Sequence, residues 1–408
     1  MAGPGPVVTG ITLMFLRWTS TRAFLHRGYW LVTSLYLVLD ADLSLFELVF
    51  LGTAQGIISL LFEAPTGVVA DTISRKWSLV ISHILMGGSM VATGLVTAFP
   101  ALVATQMVWG VAWTFASGAD VAWITDELDR PDTIGRVLTA TARWEQVGAA
   151  SGMIGFGALA WATDRGTTMV AAGFAMVLLG LYVAARFTER NFTPTRMQRW
   201  RRSAGIFRRG IALARGDREI LLVLAATFLV NGAAEAFGRL FPRQLVDLGF
   251  PEQPDPILWF TLLGIATYAA AALALRVVEA RIDGAGEARR VYALACAIGV
   301  VGLAILAAAP DPVTGSVGVL IVGGIALTVI RAVGVIWVNR RDTSEVRATM
   351  QSFLSQAEYA GEILCGVAFG VLAQTTSITV AFAAAGLLLA FTGMMVRLAG
   401  SPVSIAKA

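Results

Sequence analysis

Apolar runs of about 20 residues, separated by short polar punctuation, recur from one end of this 408-residue chain to the other. Each run is long enough to cross a hydrocarbon core of about 30 Å as a helix. In lipid the backbone must satisfy its own hydrogen bonds, which leaves helices or a closed barrel. Barrel strands need only about 9–11 residues, so runs of this length exclude a barrel, and their number excludes a single anchor. The punctuation predicts twelve spans, near 14–38, 44–69, 77–99, 101–125, 137–161, 167–187, 219–246, 257–279, 289–309, 314–338, 348–373 and 377–398. One long hydrophilic stretch, 186–218, carries ten arginines and separates six spans from six. The expected organisation is an N-terminal six-helix bundle at 11–187, a cytoplasmic arginine-rich linker at 188–218 and a C-terminal six-helix bundle at 219–399.

Composition agrees with an all-α integral membrane protein: 56% of residues are hydrophobic, only 14% are charged, and the mean hydropathy is +0.72. About a quarter charged is usual for a soluble domain. A formal net charge of +4 would suggest nucleic acid in a soluble chain, but apolar runs fill the sequence between its charges, so no nucleic-acid partner is expected. Cys296 and Cys365 sit inside apolar runs and indicate buried thiols rather than a disulfide framework. The N-terminus has no basic region followed by a small-residue cleavage site, so the first run reads as a retained helix.

Arginine and lysine placement gives a topology, because short cytoplasmic loops hold an excess of both. One set of loops holds Arg75 and Lys76, Arg130 and Arg136, the ten linker arginines, Arg281, Arg289 and Arg290, and Arg340, Arg341 and Arg347. The alternate loops hold Asp40, Asp42, Asp164 and the prolines at 251–256 and 310–312, with Arg165 their single arginine. Both termini are therefore expected inside. The bias of 29 arginines over two lysines points to a GC-rich bacterial genome, and hence to an inner (plasma) membrane location. The sequon at Asn191 falls on the cytoplasmic side and is discarded.

Between the second and third spans, Gly67, Asp71, Arg75 and Lys76 stand at the spacing G-x-x-x-D-x-x-x-R-K, preceded by Glu63-Ala-Pro-Thr. A glycine that permits close helix approach, a carboxylate that ends one helix and two cations that begin the next can form a breakable latch. The pattern resembles the signature of the major facilitator superfamily, with Ser74 in place of that motif's second glycine. The drug-efflux-like branch is the best match in length, short loops and the entry to this loop. The resemblance implies two pseudo-symmetric six-helix bundles around a central cavity. It also implies a gate loop that locks one state by ion pairs, here Asp71 with the eleventh span and Arg75 with Asp126 or Glu127, near Arg136. Gln106 replaces an arginine that many proton-driven members carry in the fourth span. The glycines of the fifth span, Gly148 to Gly157, resemble the antiporter motif without its proline.

A partial internal repeat supports duplicated halves: Glu145, Gly148, Gly157, Leu159 and Ala160 recur at the same offsets as Glu358, Gly361, Gly370, Leu372 and Ala373. Parallel repeats of this sort are how many transporters build alternating access.

Ionisable residues inside spans are costly and mark cavities, partners or functional paths. They are Glu63, Asp120, Arg143, Glu145, Arg331 and Glu358, and in the seventh span Asn231, Glu235, Arg239 and Arg243, which recur every four residues as one stripe. Glu235 and Arg239 are spaced for an intrahelical ion pair, and the stripe is expected to line the cavity. Arg22 and His26 lie one turn apart and either line the cavity or form a snorkelling entry turn. Trp113, one turn before Ser117, is placed to stack an aromatic or cationic ligand. His26 and His83 are lone histidines without ligand spacing, so no metal site is expected.

The expected function is secondary active transport of a small organic molecule, most simply proton-coupled efflux, with no cofactor beyond the proton gradient and a monomer as the unit. Asp120 and Glu235 are the first candidates for coupling. Uniport or proton symport for nutrient uptake is the alternative. A polytopic membrane enzyme would need a catalytic cluster such as paired histidines at a membrane face, and the chain has two histidines in all.

Overall fold

The computed structural model describes residues 10–128, 131–194, 218–250, 253–279, 285–339 and 344–399, and among these every regular element is a helix. The first half holds α1 (Gly10–Leu35), α2 (Leu45–Thr72), α3 (Arg75–Leu95), α4 (Phe99–Ala116), α5 (Ala119–Leu128), α6 (Pro131–Ala162) and α7 (Arg165–Arg186). The second holds α8 (Arg218–Asp247), α9 (Pro256–Glu279), α10 (Ala285–Ala307), α11 (Pro312–Val319), α12 (Leu327–Asn339), α13 (Ser344–Thr375) and α14 (Ile378–Leu398). The expected linker at 188–218 is described only up to residue 194 and at 218, and residues 280–284 lie outside the described residues.

Three expected spans are not continuous α-helices, the first passing from α1 into a π-helical turn at Tyr36–Asp40. The fourth breaks at Ser117 and Gly118, between α4 and α5, and Gly118 takes a φ of +74°, the left-handed region that suits glycine. The tenth passes from α11 into α12 through a π-helical segment, Leu320–Ala326. Pro65 and Pro242 lie inside α2 and α8, as membrane helices tolerate when neighbours and side chains satisfy the freed carbonyls.

Nine helices or helix pairs among the described residues are long and apolar enough to cross a membrane by length and composition. The 26-residue α1 and the 32-residue α6 and α13 have the length but are not among the nine. They carry Arg22, Glu145 and Glu358, so the same residues that lower their hydropathy are the candidate functional ones. Apolar side chains such as Leu95, Leu178 and Leu387 are well exposed, as lipid-facing positions require and water would not favour.

The chain divides into two compact units, Met1–Leu43, Ala54–Arg199 and Glu252–Gly264 in one, and Ser44–Thr53, Trp200–Pro251 and Ile265–Ala408 in the other. In the first unit α1 packs chiefly on α6, and α3 on α7; in the second α13 packs on α8, and α10 on α14. The repeat explains this correspondence. A Cβ at Gly148 of α6 would overlap the Ser20 carbonyl of α1, and a Cβ at Gly361 of α13 would overlap the Phe228 carbonyl of α8. Gly157 abuts Thr261 at the start of α9, and Gly370 abuts Val49 and Phe46 at the start of α2. Glycine at these positions lets backbones meet, the usual device where no hydrophobic drive exists between helices.

Candidate functional site

In the first unit the polar side chains of α1, α5 and α6 converge. The Arg22 guanidinium lies 3.0 Å from Asp120 and 3.5 Å from Glu145, and its plane sits 4.7 Å from the Trp18 ring. Two carboxylates thus share one cation. The helix break makes this possible: Asp120 falls in the first turn of α5, where its carboxylate accepts from the Val121 amide and meets the positive end of the helix dipole. On the other side of the break the Ser117 hydroxyl donates to Glu63 at 3.0 Å.

One turn along α1 from Arg22, His26 enters an aromatic stack. Its ring lies 5.3 Å from that of Trp109 and 5.8 Å from that of Trp113, nearly parallel to both, and the Trp30 indole donates to its Nε2 at 2.9 Å. Trp109 and Trp113 stack at 5.6 Å and 9°. Trp113 closes the stack with 39% of its surface open, one turn before Ser117 at the end of α4. His83 is elsewhere, buried against Trp18 with its Nδ1 on the Leu79 carbonyl.

Arg143 does not join Glu145, although only Trp144 lies between them. It lines a cleft of about 450 Å³ on α6 with Arg136, Thr139 and Trp144. Residues two apart on a helix face different ways, so the expected Arg143–Glu145 grouping resolves into two sites.

The gate loop is a charge network within the first unit. Arg75 pairs with Asp126 and donates to the Ala122 carbonyl at 2.8 Å, while Asp71 lies 3.8 Å from it one turn back. Glu127 is not the partner; it is buried and accepts from the Arg190 and Asn191 amides at 2.7 and 2.9 Å. Ser74 caps α3 by accepting from the Trp77 amide at 3.0 Å, and its hydroxyl donates to Glu189. The Glu189 carboxylate also accepts from the Arg75 and Lys76 amides at 2.7 and 3.2 Å, a negative group at a helix N-terminus. The Lys76 ammonium sits 5.9 Å from the Trp77 ring. A Cβ at Gly67 would meet nothing within 4 Å, so the close approach expected there is not what the glycine provides in this structure.

In the second unit the Arg239 guanidinium lies 2.8 Å from Glu235 one turn back, the i,i+4 pair that the spacing anticipates. A Cβ at Gly52, near the start of α2, would overlap the Glu235 carboxylate, so α2 presses on this pair. The rest of the stripe is spoken for: Asn231 is buried and donates to the Thr227 carbonyl, and Arg243 pairs with Asp247 at 2.9 Å. Glu362, not singled out from the sequence, lies one turn beyond Glu358 on α13. Its carboxylate is within electrostatic reach of Glu235, Glu358, Arg239 and Arg331, and Glu358 is within reach of Arg331. Among the described residues, then, three carboxylates and two guanidiniums stand in one neighbourhood, with Glu235 and Arg239 in direct contact. The spacing of Glu358 and Glu362 in an apolar helix was the available signal.

No family model and no curated protein matches the sequence. Solved structures do match, over nearly the full length. The nucleoside transporter NupG is similar with a TM-score of 0.76 at 16% identity, covering 96% of this chain and 100% of that one. A peptide transporter POT in complex with sulfate gives 0.75 at 11% identity, with 96% and 95% covered. The D-xylose-proton symporter gives 0.70 at 14% identity, with 95% and 97% covered. The fold is the major facilitator fold. Within that fold, the Arg22 cluster and the Glu235 cluster are each built by one unit from its own helices.

Proposed function

We propose that this chain is a secondary transporter that moves a small organic molecule across the plasma membrane of a bacterium by alternating access, coupled to protons and in the direction of export. The observation that carries the reading is the charge count inside the helices. Among the described residues, Asp120 and Glu145 both lie within 3.5 Å of Arg22, with Arg27 also in electrostatic reach of Glu145, while in the second unit three carboxylates, Glu235, Glu358 and Glu362, stand in electrostatic reach of two guanidiniums, Arg239 and Arg331. A purely structural network in a low-dielectric interior would pair its charges evenly, because an unpaired buried charge is expensive. An odd carboxylate is a place where a proton or a cationic group of the substrate restores balance. The open face of Trp113, one turn before Ser117 at the end of α4, supports an organic substrate with a flat ring.

Proton symport for uptake is the second reading. It is left open by Gln106, buried where many proton-driven members carry an arginine, and is supported by the proton in the name of the D-xylose symporter that shares the fold. Transport in everted vesicles under an imposed pH gradient, with a panel of lipophilic cations, neutral drugs and organic anions, separates the two. Uptake into everted vesicles driven by an acidic interior, and lost in Asp120→Asn, supports export by exchange. Movement in the same direction as the protons supports symport. Equilibration with no gradient dependence removes proton coupling altogether.

A further inference from the structure

A groove of about 860 Å³ runs between α10 and α14 on the second unit, away from the Glu235 cluster. Its register is fixed at one end, where Arg289 donates to the Ala399 carbonyl at 2.7 Å and pairs with Glu219 of α8. From there the two helices run antiparallel, with Gly393 against Cys296 and Leu389 over Gly299. Small side chains, Ala293, Ala297 and Gly393, line it together with the exposed, apolar Leu294 and Met394, and Val300 and Leu389 line it farther along α10 and α14. Arg290 and Arg397 stand at its mouth, both exposed, and neither makes an ion pair among the described residues.

The dimensions identify the occupant. From Arg290 to Val300 is ten residues of helix, roughly 15 Å at 1.5 Å per residue. That is half of the hydrocarbon core of about 30 Å, the depth of one leaflet. A groove that is cationic at the membrane surface and apolar for one leaflet's depth fits an amphiphile with an anionic head and an acyl chain. We propose that the α10–α14 groove is a binding site for one anionic phospholipid of the leaflet on the arginine-bearing face, its phosphate held by Arg290 and Arg397 and an acyl chain lying over Ala293, Ala297 and Gly393. The arginine pair supplies attraction, and the missing side-chain volume supplies the berth. The site is independent of what the protein transports.

The test is native mass spectrometry of the full-length protein released from nanodiscs containing equal parts of phosphatidylglycerol and phosphatidylcholine, with wild type beside Arg290→Gln/Arg397→Gln and Ala293→Trp. Wild type is expected to retain one phosphatidylglycerol about tenfold or more in preference to phosphatidylcholine, from roughly one decade or less per arginine. The double variant should lose the preference while still binding lipid, and Ala293→Trp, which fills the berth and leaves the arginines, should lose the retained lipid. Circular dichroism on each variant controls for folding. Equal retention of the two lipids by wild type, or an unchanged preference in both variants, overturns the proposal. So does protection of wild type against thermal unfolding by inorganic phosphate alone as strong as that by phosphatidylglycerol, which would make this an anion site without a lipid. A dimer that Ala293→Trp dissociates would put a second copy in the groove and overturn it as well.

Discussion

Ser74 shows how a single side chain can replace a motif glycine and strengthen the loop it sits in. Its hydroxyl accepts from the Trp77 amide at the start of α3 and donates to Glu189, so one oxygen joins the gate loop to the chain beyond α7. Removing an N-cap hydroxyl typically costs about 1 kcal/mol, whereas glycine at the same place costs only a few tenths. Ser74→Ala is expected to lower the thermal stability of the purified protein more than Ser74→Gly does, and Glu189→Gln should lower it through the same three donors; a melting series in detergent orders them. The sequence allowed Arg75 to be paired with either Asp126 or Glu127, because both lie at the same membrane face one position apart. Only the fold separates them, by turning Glu127 toward the Arg190 and Asn191 amides. Glu189 was invisible for a related reason. Its partners lie more than 110 residues away in sequence, and nothing local marks a carboxylate as a distant helix cap.

Helices were the most legible level, and their interruptions the least. Run length and polar punctuation place the long helices to within a turn or two, since a membrane imposes both. The break at Ser117 and Gly118 was hidden, because small residues are common inside membrane helices and carry no stop signal of their own. Yet it is the break that puts Asp120 at a helix N-terminus beside Arg22. The repeat was legible through its glycines, whose role is contact between backbones. Gly148→Leu and Gly361→Leu are each expected to prevent a folded product or to shift unfolding by far more than Gly67→Ala, which meets open space; expression and size-exclusion profiles read this directly. Outside the spans, Asp164 caps α7, and hydrogen bonds from the Thr167 hydroxyl and amide hold its carboxyl below the usual carboxylate range. A depressed folded value means stability that is present above the unfolded pKa of about 3.9 and lost as pH falls through the folded value. Asp164→Ala should therefore destabilise by about 0.5–1 kcal/mol at pH 7, a modest figure because the group is exposed, and by progressively less as the pH falls below about 3.9.

At the scale of the whole molecule, the proposed transport cycle would make different demands on the two clusters, and kinetics can tell them apart. An exchanger must not change state with its sites empty, so the groups that carry charge have to be balanced before each movement. If the odd carboxylate of the second unit carries the proton, Glu362→Gln is permanently balanced there. Such a protein would still exchange labelled substrate for unlabelled substrate across the membrane, since that half-reaction needs no proton to leave. It would lose uphill accumulation under a pH gradient, because the step that couples the gradient is gone. Asp120→Asn, beside Arg22 and on the span that holds the open ring of Trp113, leaves Arg22 with Glu145 alone. If that cluster meets the substrate, both exchange and accumulation should fall, with a raised substrate KM. Counterflow and pH-driven uptake measured on the same proteoliposomes give four numbers. Loss of accumulation with exchange retained in Glu362→Gln assigns proton carriage to α13. Equal loss of both activities in both variants would mean instead that the clusters act as one network, and that coupling is not separable into a proton site and a substrate site.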